Sequence, residues 1–418
     1  MGSDVRVLVV HNAYSSRVPS GENLSVADEV TWLREAGVEV ELHEVSNDTV
    51  VAAGALDKVR RAAETPWSPS AARRFAADLD RVQPDVVHVH NLFPLLTASV
   101  PRAAVRRGVP VVWTCRNRRI VCVEGTHFRD GAPCHACRPG WRVPGIRHGC
   151  YQRLAVARGT VSPAGSVAAS ALVTVATASF GSLVRRRRIL AVGIADNVRE
   201  WLVDVARLPP ERVAVKYVGV PRPDPGLEVP PPEAGPTFLF AGQLADYKGV
   251  PLLLDAWARG APPDARLRVV GDGLAAPLVT EAAAADPRIT FVGPVATSAM
   301  AGELAGARVV VAPSTTPETF GRVAAEALAY GRPVITTGLG GLGEIVDAES
   351  GWVTGVDAGA MAEAIRTAAS DDAAVATRGA KGRERHRGRF SPEATTGALI
   401  DIYERVLRET GHRTERAG

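Results

Sequence analysis

Short β-branched runs alternate with longer amphipathic stretches along most of the chain. Val5–Val10, Val38–Leu42, Val86–His90 and Val109–Thr114 are nearly continuous apolar runs. That pattern predicts parallel strands buried on both faces. Between the first two, Glu22–Ala36 carries apolar residues at helical spacing and stops at Gly37. Strand, helix and strand in this order predict βαβ units and a doubly wound α/β sheet. The segment Pro221–Pro236, PRPDPGLEVPPPEAGP, holds seven prolines in sixteen residues, which excludes helix and central strand and predicts a linker. The alternation then restarts at Thr237–Ala241, Leu267–Val270, Ile289–Val292, Val309–Ala312 and Pro333–Thr336. The 418 residues therefore predict two Rossmann-like domains, over 1–220 and 237–390, joined by the 221–236 linker. In the final segment, 391–418, a helix over Pro392–Glu409 returns toward the first domain, and the tail past Gly411 is expected to be disordered. Two such domains facing each other leave a central cleft at the carboxyl ends of their strands, where doubly wound sheets hold ligands.

Composition, 46% hydrophobic and 22% charged, fits a folded soluble protein. The net charge of +4 conceals an asymmetry. Residues 101–200 contain 17 Arg, no Lys and four acidic groups, a local charge of +13. This is either a solvated basic face or a surface for phosphates, an anionic acceptor or peripheral membrane contact. Basic residues interleaved with aromatics are lacking, so nucleic acid is not an expected partner. The N-terminus lacks the basic start and cleavage site of a signal peptide, and the expected location is cytoplasmic. Gly159–Val184 is uncharged and precedes Arg185–Arg188, which imitates a membrane span. Its Ala, Ser, Thr and Gly content favours a buried helix plus strand. Monomer and dimer both stay open.

The most informative segment is Ala312–Val334, APSTTPETFGRVAAEALAYGRPV. A strand ends at Ala312, a loop carries Glu318, and a helix starting near Gly321 carries Glu326. A glycine at the helix start lets a backbone N–H approach a phosphate. A carboxylate offers two oxygens to a sugar diol, so the two acids can hold two sugar rings. The blander reading is a helix with two surface acids. At these residues the chain resembles the retaining GT-B glycosyltransferases of family 4 (glycosyl transferases group 1). Their hallmark is P-S-x-x-E-x-F-G-x-x-x-x-E-A-x-A-x-G-x-P-V. Pro313, Ser314, Glu318, Phe320, Gly321, Glu326, Ala327, Ala329, Gly331, Pro333 and Val334 match it, with one extra residue in the loop. The resemblance implies a GT-B fold, with Glu326 on the nucleotide ribose hydroxyls, Glu318 near the transferred hexose, and Phe320, Gly321 and Arg322 on the donor side. Phe240–Gly249, FAGQLADYKG, resembles the family's phosphate-binding strand and loop, with Gly242, Gln243 and Lys248. Val269–Gly273, VVGDG, contributes Gly271 and Gly273; Phe291–Gly293 and Gly338–Glu344 complete the ordered set over roughly 238–355.

In the front half, Ser20–Gly21–Glu22 resembles a shortened form of the family's Gly-rich loop; an ordinary helix cap is the alternative. His88 is expected in the core, and His90 and Asn91 on the acceptor side of the cleft. Residues 113–151 resemble a subgroup carrying T-x-H-N-x-R, a Cys, then C-x-x-C and C-Y. Here the residues are Thr114, Cys115, Arg116, Asn117, Arg118 and Arg119, then Cys122, Cys134, Cys137, Cys150 and Tyr151. Asn117 joins Glu22 on the acceptor side. The four cysteines of this 115–151 insertion, spaced x11, x2 and x12, suit a structural zinc site, reduced buried thiols, disulfides or an iron–sulfur cluster. Cys115 is expected in the core.

Two positions depart from the family pattern. Gln243 stands where most members have Arg, which removes one cationic contact worth about 1–3 kcal/mol. Arg116 stands where a His usually faces the donor sugar, and is expected to replace that charge from across the cleft. The resemblance implies retaining transfer of a hexose or N-acetylhexosamine from a nucleotide diphosphate sugar, UDP-linked by default, to a hydroxyl of a glycan or small natural product. Lys248, the Gly21 loop and the backbone near Gly321 would stabilise the departing diphosphate, with no metal or cofactor at the reaction centre. The chain would then be a hexosyltransferase of the EC 2.4 class. The rivals are a non-catalytic nucleotide-sugar-binding or partner protein and a nucleotide-sugar epimerase.

Overall fold

The computed structural model describes residues 5–16, 20–51, 54–153, 156, 161–186, 189–223 and 236–411. The chain divides into two compact units: 1–127, 134–216 and 396–418 form the first, and 128–133 with 217–395 form the second. Most of the proline-rich linker, the tail past Gly411, Gly159 and Arg187–Arg188 lie outside the described residues.

The first unit holds a six-stranded parallel sheet in the order β2-β1-β3-β4-β7-β8. Its strands are β1 Arg6–Ala13, β2 Glu39–Ser46, β3 Val86–Val89, β4 Val111–Cys115, β7 Ile189–Gly193 and β8 Val213–Val215. A separate two-stranded hairpin, β5 Phe128–Arg129 with β6 Ala132–Pro133, groups with the second unit. Val7, Leu8, Val9 and Val10 are all buried, as a central strand covered on both faces requires. The order reverses between β1 and β3, so the loops after Ala13 and Val89 diverge at a switch point. The helix Gly21–Glu35 starts at that edge. It turns Val26, Glu29, Val30 and Leu33 inward, one of them an acid on an otherwise apolar stripe.

The final helix, Pro392–Thr410, returns to the first unit, where Leu399, Ile402, Tyr403, Val406 and Leu407 join Val7, Val9, Val30 and Leu33. That i, i+3, i+4, i+7, i+8 spacing is one helical face, and each large apolar side chain so buried contributes about 1.5–3 kcal/mol.

The second unit repeats the architecture in the order β11-β10-β9-β12-β13-β14. Its strands are β9 Thr237–Ala241, β10 Arg266–Val270, β11 Ile289–Gly293, β12 Val309–Ala312, β13 Val334–Thr336 and β14 Gly351–Val353. Here the reversal falls between β9 and β12, which brings the Lys248 and Glu318 loops to neighbouring strand ends.

The expected helix plus strand over Gly159–Val184 is instead one helix, Pro163–Arg186, and the strand follows it at Ile189. Ala and Ser favour helix, and the β-branched residues are too scattered to make a strand face. By length and composition this helix could cross a membrane, and 44% of its apolar window is buried within the fold.

Candidate active site

Two loops at neighbouring strand ends build the second unit's polar site. After β9, a 3-10 turn over Asp246–Lys248 ends at Gly249, whose φ is 77°. A Cβ there would lie 1.8 Å from the Pro313 carbonyl oxygen, so only glycine lets this loop press against the start of the loop after β12. The Thr315 N–H donates to the Tyr247 carbonyl at 2.9 Å, fastening the two loops together. Lys248 Nζ then sits 2.9 Å from Glu318 Oε2, and the Ser314 hydroxyl donates to Glu318 Oε1. Burial works against both charges, but the ion pair outweighs it. Lys248 is raised and Glu318 lowered, so both are charged at neutral pH.

The helix Arg322–Ala329 begins at Gly321, in the left-handed region with φ 109°, and carries Glu326. Glu326 Oε1 accepts from Arg322 Nε at 2.7 Å. The carboxylates of Glu318 and Glu326 are each mostly covered, 17% and 18% exposed. A Cβ on Gly321 would meet Leu342 Cδ2 at 2.6 Å, so this glycine serves a close internal packing contact. Phe320, expected on the donor side, is instead a core residue; its ring meets Tyr217 at 6.5 Å and Phe390 at 5.8 Å. Gln243 accepts from the Tyr247 hydroxyl at 2.6 Å. Gly242, Gly271 and Gly273 form the neighbouring turn, where Gly242 N–H donates to Val270 O at 3.0 Å and Leu244 N–H to Asp272 O at 2.9 Å.

In the first unit, Ser20 caps the Gly21–Glu35 helix by accepting from Asn23 N–H, so the Ser20–Gly21 loop has the geometry of a helix cap. Glu22 is half-buried. Burial pushes its carboxyl up against the opposing pull of Arg116 and Arg119. Asn117 Oδ1 accepts from Arg119 N–H at 3.1 Å. Asn91 is not an open cleft residue. It is buried, and its Nδ2 donates to the carbonyls of Asn12 and Phe93 at 2.7 and 3.2 Å, which fixes the loop after β3.

His90 is also buried, with Nε2 3.1 Å from Glu29 Oε1. Glu29 is the centre of a cluster that the sequence pattern did not reveal beyond its place on an apolar stripe. Lys216 Nζ donates to Glu29 Oε2, and Arg116 Nη2 lies 3.7 Å from that oxygen. Arg116, expected to compensate Gln243 at the donor phosphates, is thus spent on a buried carboxylate of its own unit. His88 meets the Tyr403 hydroxyl at 2.7 Å and Thr114 Oγ1 at 2.8 Å. Among the described residues, Glu29, His88 and His90 place three donor atoms within 4.8 Å of one another. This set is unsuited to a metal, because Lys216 and Arg116 already compensate the carboxylate and both His88 nitrogens are engaged.

The same cluster makes stability depend on pH. Burial, then the neighbouring charge of His90, pushes His11 down to about 3. Burial lowers His88 and His90 as well. An unfolded imidazole takes up a proton near pH 6.5 while the buried one does not, so the unfolded state binds more protons and stability falls as pH falls. The loss begins near pH 6.5 and continues toward the folded values. At about 1.4 kcal/mol per pH unit per proton, His11 alone removes about 2 kcal/mol by pH 5, and the other two act with the same sign. Urea midpoints measured from pH 8 to 5 are expected to fall accordingly; a flat profile across that range would contradict the buried neutral imidazoles.

Comparison with known proteins gives a consistent picture. A family model described as Glycosyltransferase Family 4 matches residues 19–222, and one described as Glycosyl transferases group 1 matches residues 235–371. The D-inositol 3-phosphate glycosyltransferase of Geodermatophilus obscurus is 34% identical over 252 residues, covering 54% of this chain and 55% of that protein. The chain thus spans about half the length of the curated relatives it matches. Among solved structures, Anabaena HepE in complex with UDP and glucose is similar at a TM-score of 0.63 and 19% identity, covering 96% of this chain and 100% of that one. Sucrose-phosphate synthase from Thermosynechococcus elongatus is similar at 0.64 and 19%, covering 97% and 100%. At these identities the structural likeness speaks for the fold.

Proposed function

The chain belongs to the family 4 glycosyltransferases of the GT-B fold, and from that premise we propose that it transfers a hexose or N-acetylhexosamine from a UDP-linked sugar, with retention, to a hydroxyl of a glycan or small natural product. The observation that carries this reading is the pairing of Lys248 with Glu318 beside the Glu326-bearing helix, at the strand ends where a doubly wound sheet holds nucleotides. A diphosphate entering there takes Lys248 as its cation, which frees Glu318 for hydroxyls of the transferred sugar. Glu326 accepts the ribose diol. The bond from the anomeric carbon to the phosphate oxygen breaks as the acceptor oxygen bonds to that carbon on the same face. The acceptor proton passes to the departing diphosphate, so no strong protein base is needed.

Three further observations support the details. HepE was solved with UDP and glucose. The D-inositol 3-phosphate glycosyltransferase by its name acts on a phosphorylated cyclitol, and the arginine-rich first unit suits an anionic acceptor. Five unpaired cysteines suit a reducing, cytoplasmic setting.

The test is a thermal-shift and turnover screen over nucleoside diphosphates and their sugars. A UDP-sugar at 100 times its dissociation constant is expected to stabilise the protein by about 2.7 kcal/mol and to be slowly hydrolysed without acceptor. Glu326→Gln should weaken that binding about 10-fold or more, through loss of a charged hydrogen bond to the ribose. If no nucleotide sugar shifts unfolding and none is consumed, the reading fails. Stabilisation without turnover would favour a nucleotide-sugar-binding protein, the alternative suggested by Gln243 and Arg116, which are both engaged elsewhere. Donor interconversion without acceptor would favour an epimerase.

A further inference from the structure

The 115–151 insertion carries a hairpin that has no part in the chemistry proposed above. β5 and β6 pair Phe128 with Pro133 and Arg129 with Ala132, so Asp130 and Gly131 make a two-residue loop. Both have positive φ, 54° and 78°, as in the type I′ turn that an Asp-Gly pair favours. At the base the Cys134 N–H donates to the His127 carbonyl at 2.6 Å and closes the hairpin. The cysteines of the insertion, Cys122, Cys134, Cys137 and Cys150, are free thiols. Strands of two residues have no core of their own and keep their place only by packing on something else. Residues 128–133 group with the second unit, and there the Phe128 ring lies 5.6 Å from the ring of Tyr247, inclined at 56°. That separation is within the range over which aromatic rings attract one another.

Tyr247 in turn touches two polar side chains of the loop after β9. Its hydroxyl donates to Gln243 Oε1 at 2.6 Å, and Lys248 Nζ lies 5.9 Å from the centre of its ring. A carboxamide has one accepting end and one donating end. With the oxygen taken by Tyr247, the Gln243 amide directs its NH2 group away from that hydroxyl, on a residue exposed to solvent. A glutamine loose on the surface samples many rotamers. One tied by its oxygen presents its two N–H bonds in a set direction, and less conformational freedom is lost when a ligand takes them. A phosphate oxygen gains more from such a donor than a neutral acceptor does. Lys248 is held from two sides, by the Tyr247 ring and by Glu318 at 2.9 Å. One aromatic side chain therefore sets both the amide and the ammonium, and the hairpin's Phe128 packs against that side chain.

We infer that the Phe128–Pro133 hairpin is part of the donor site, with Phe128 and Tyr247 as positioning residues that aim the Gln243 amide, together with Lys248, at the diphosphate of the donor. The inference rests on the transferase reading for its ligand and adds to it the residues that set the geometry. Gln243 contributes a directed hydrogen bond and Lys248 the charge. Tyr247 acts through both, and Phe128 acts through Tyr247.

The test is calorimetric titration of the full-length protein with UDP and with UMP, which lacks the second phosphate. Gln243→Ala should weaken UDP about 10-fold, the effect of one hydrogen bond to a charged group, and leave UMP binding unchanged. Tyr247→Phe should weaken UDP about 3- to 10-fold with the same selectivity, since the amide loses its direction but not its donors. The double variant should bind UDP no worse than Gln243→Ala, because the hydroxyl acts through the amide. Phe128→Ala should weaken UDP about threefold, and Phe128→Tyr, which keeps the ring, should restore it. Tyr247→Phe removes one hydroxyl and keeps the ring, so it carries the test if Phe128→Ala misfolds. Four results would overturn the inference and leave the transferase reading standing: unchanged UDP affinity in any of the three single variants, losses that add in the double variant, equal losses for UMP, or a Phe128→Ala loss that Phe128→Tyr does not restore. Wild-type protein that binds neither nucleotide would bring down both readings.

Discussion

Lys216→Met should lower the unfolding free energy by about 3–5 kcal/mol, the usual cost of stranding one member of a buried ion pair. Glu29 is almost wholly covered, and Lys216 is its principal partner. Burial alone would drive the Glu29 carboxyl up, but chiefly the Lys216 ammonium, aided by a hydrogen bond from His90, holds it well below the usual carboxylate range. Without Lys216, Arg116 at 3.7 Å and two neutral imidazoles are poor compensation. The double variant Glu29→Gln, Lys216→Met removes both charges of the pair and should recover part of the loss, with Arg116 left to the Glu22 carboxylate that it also faces. Urea unfolding of wild type, both single variants and the double closes the cycle. A single-variant loss below about 1 kcal/mol would mean that the pair is open to water.

Lys248→Ala should reduce transfer about 100- to 1,000-fold, equivalent to about 2.7–4 kcal/mol of transition-state stabilisation. In the proposed reaction the departing diphosphate gains charge as the sugar leaves, and with Gln243 at its position the segment Phe240–Gly249 offers Lys248 as its side-chain cation. A second signature separates this role from a structural one. Lys248 holds Glu318 below the ordinary carboxylate range, so its removal should move the acidic limb of the rate profile to higher pH. Lys248→Arg should restore part of the rate. Activity within threefold of wild type in Lys248→Ala would remove Lys248 from the diphosphate.

Much of this was legible along the chain. β9 and β12 have the expected bounds and β1, β3 and β4 lie within a few residues of theirs, because a strand buried on two faces needs a nearly unbroken apolar run. The places of Glu318, Glu326 and Lys248 on their loops and helix were readable because each lies in a short local string whose loop geometry depends on its neighbours. Phe320 and Asn91 were misjudged for the same reason: adjacency to such a string does not say whether a side chain faces a cleft or the core. The Glu29 cluster was out of reach. Its partner Lys216 is 187 residues away, and Tyr403 is 315 residues from His88. No periodicity encodes pairings at that separation.

Because Leu399, Ile402, Tyr403 and Val406 cover Val5, Val7 and Val9 around β1, the first unit is assembled from segments made nearly 400 residues apart in the order of synthesis. On a ribosome that strand emerges before the second sheet and its cover emerges only after it. The earlier-made body must therefore wait, with an apolar side uncovered, while the later-made one completes. Changes that delay or block the Pro392–Thr410 helix should accordingly cause the earlier-made half to aggregate, even though every residue altered lies far along the chain from it.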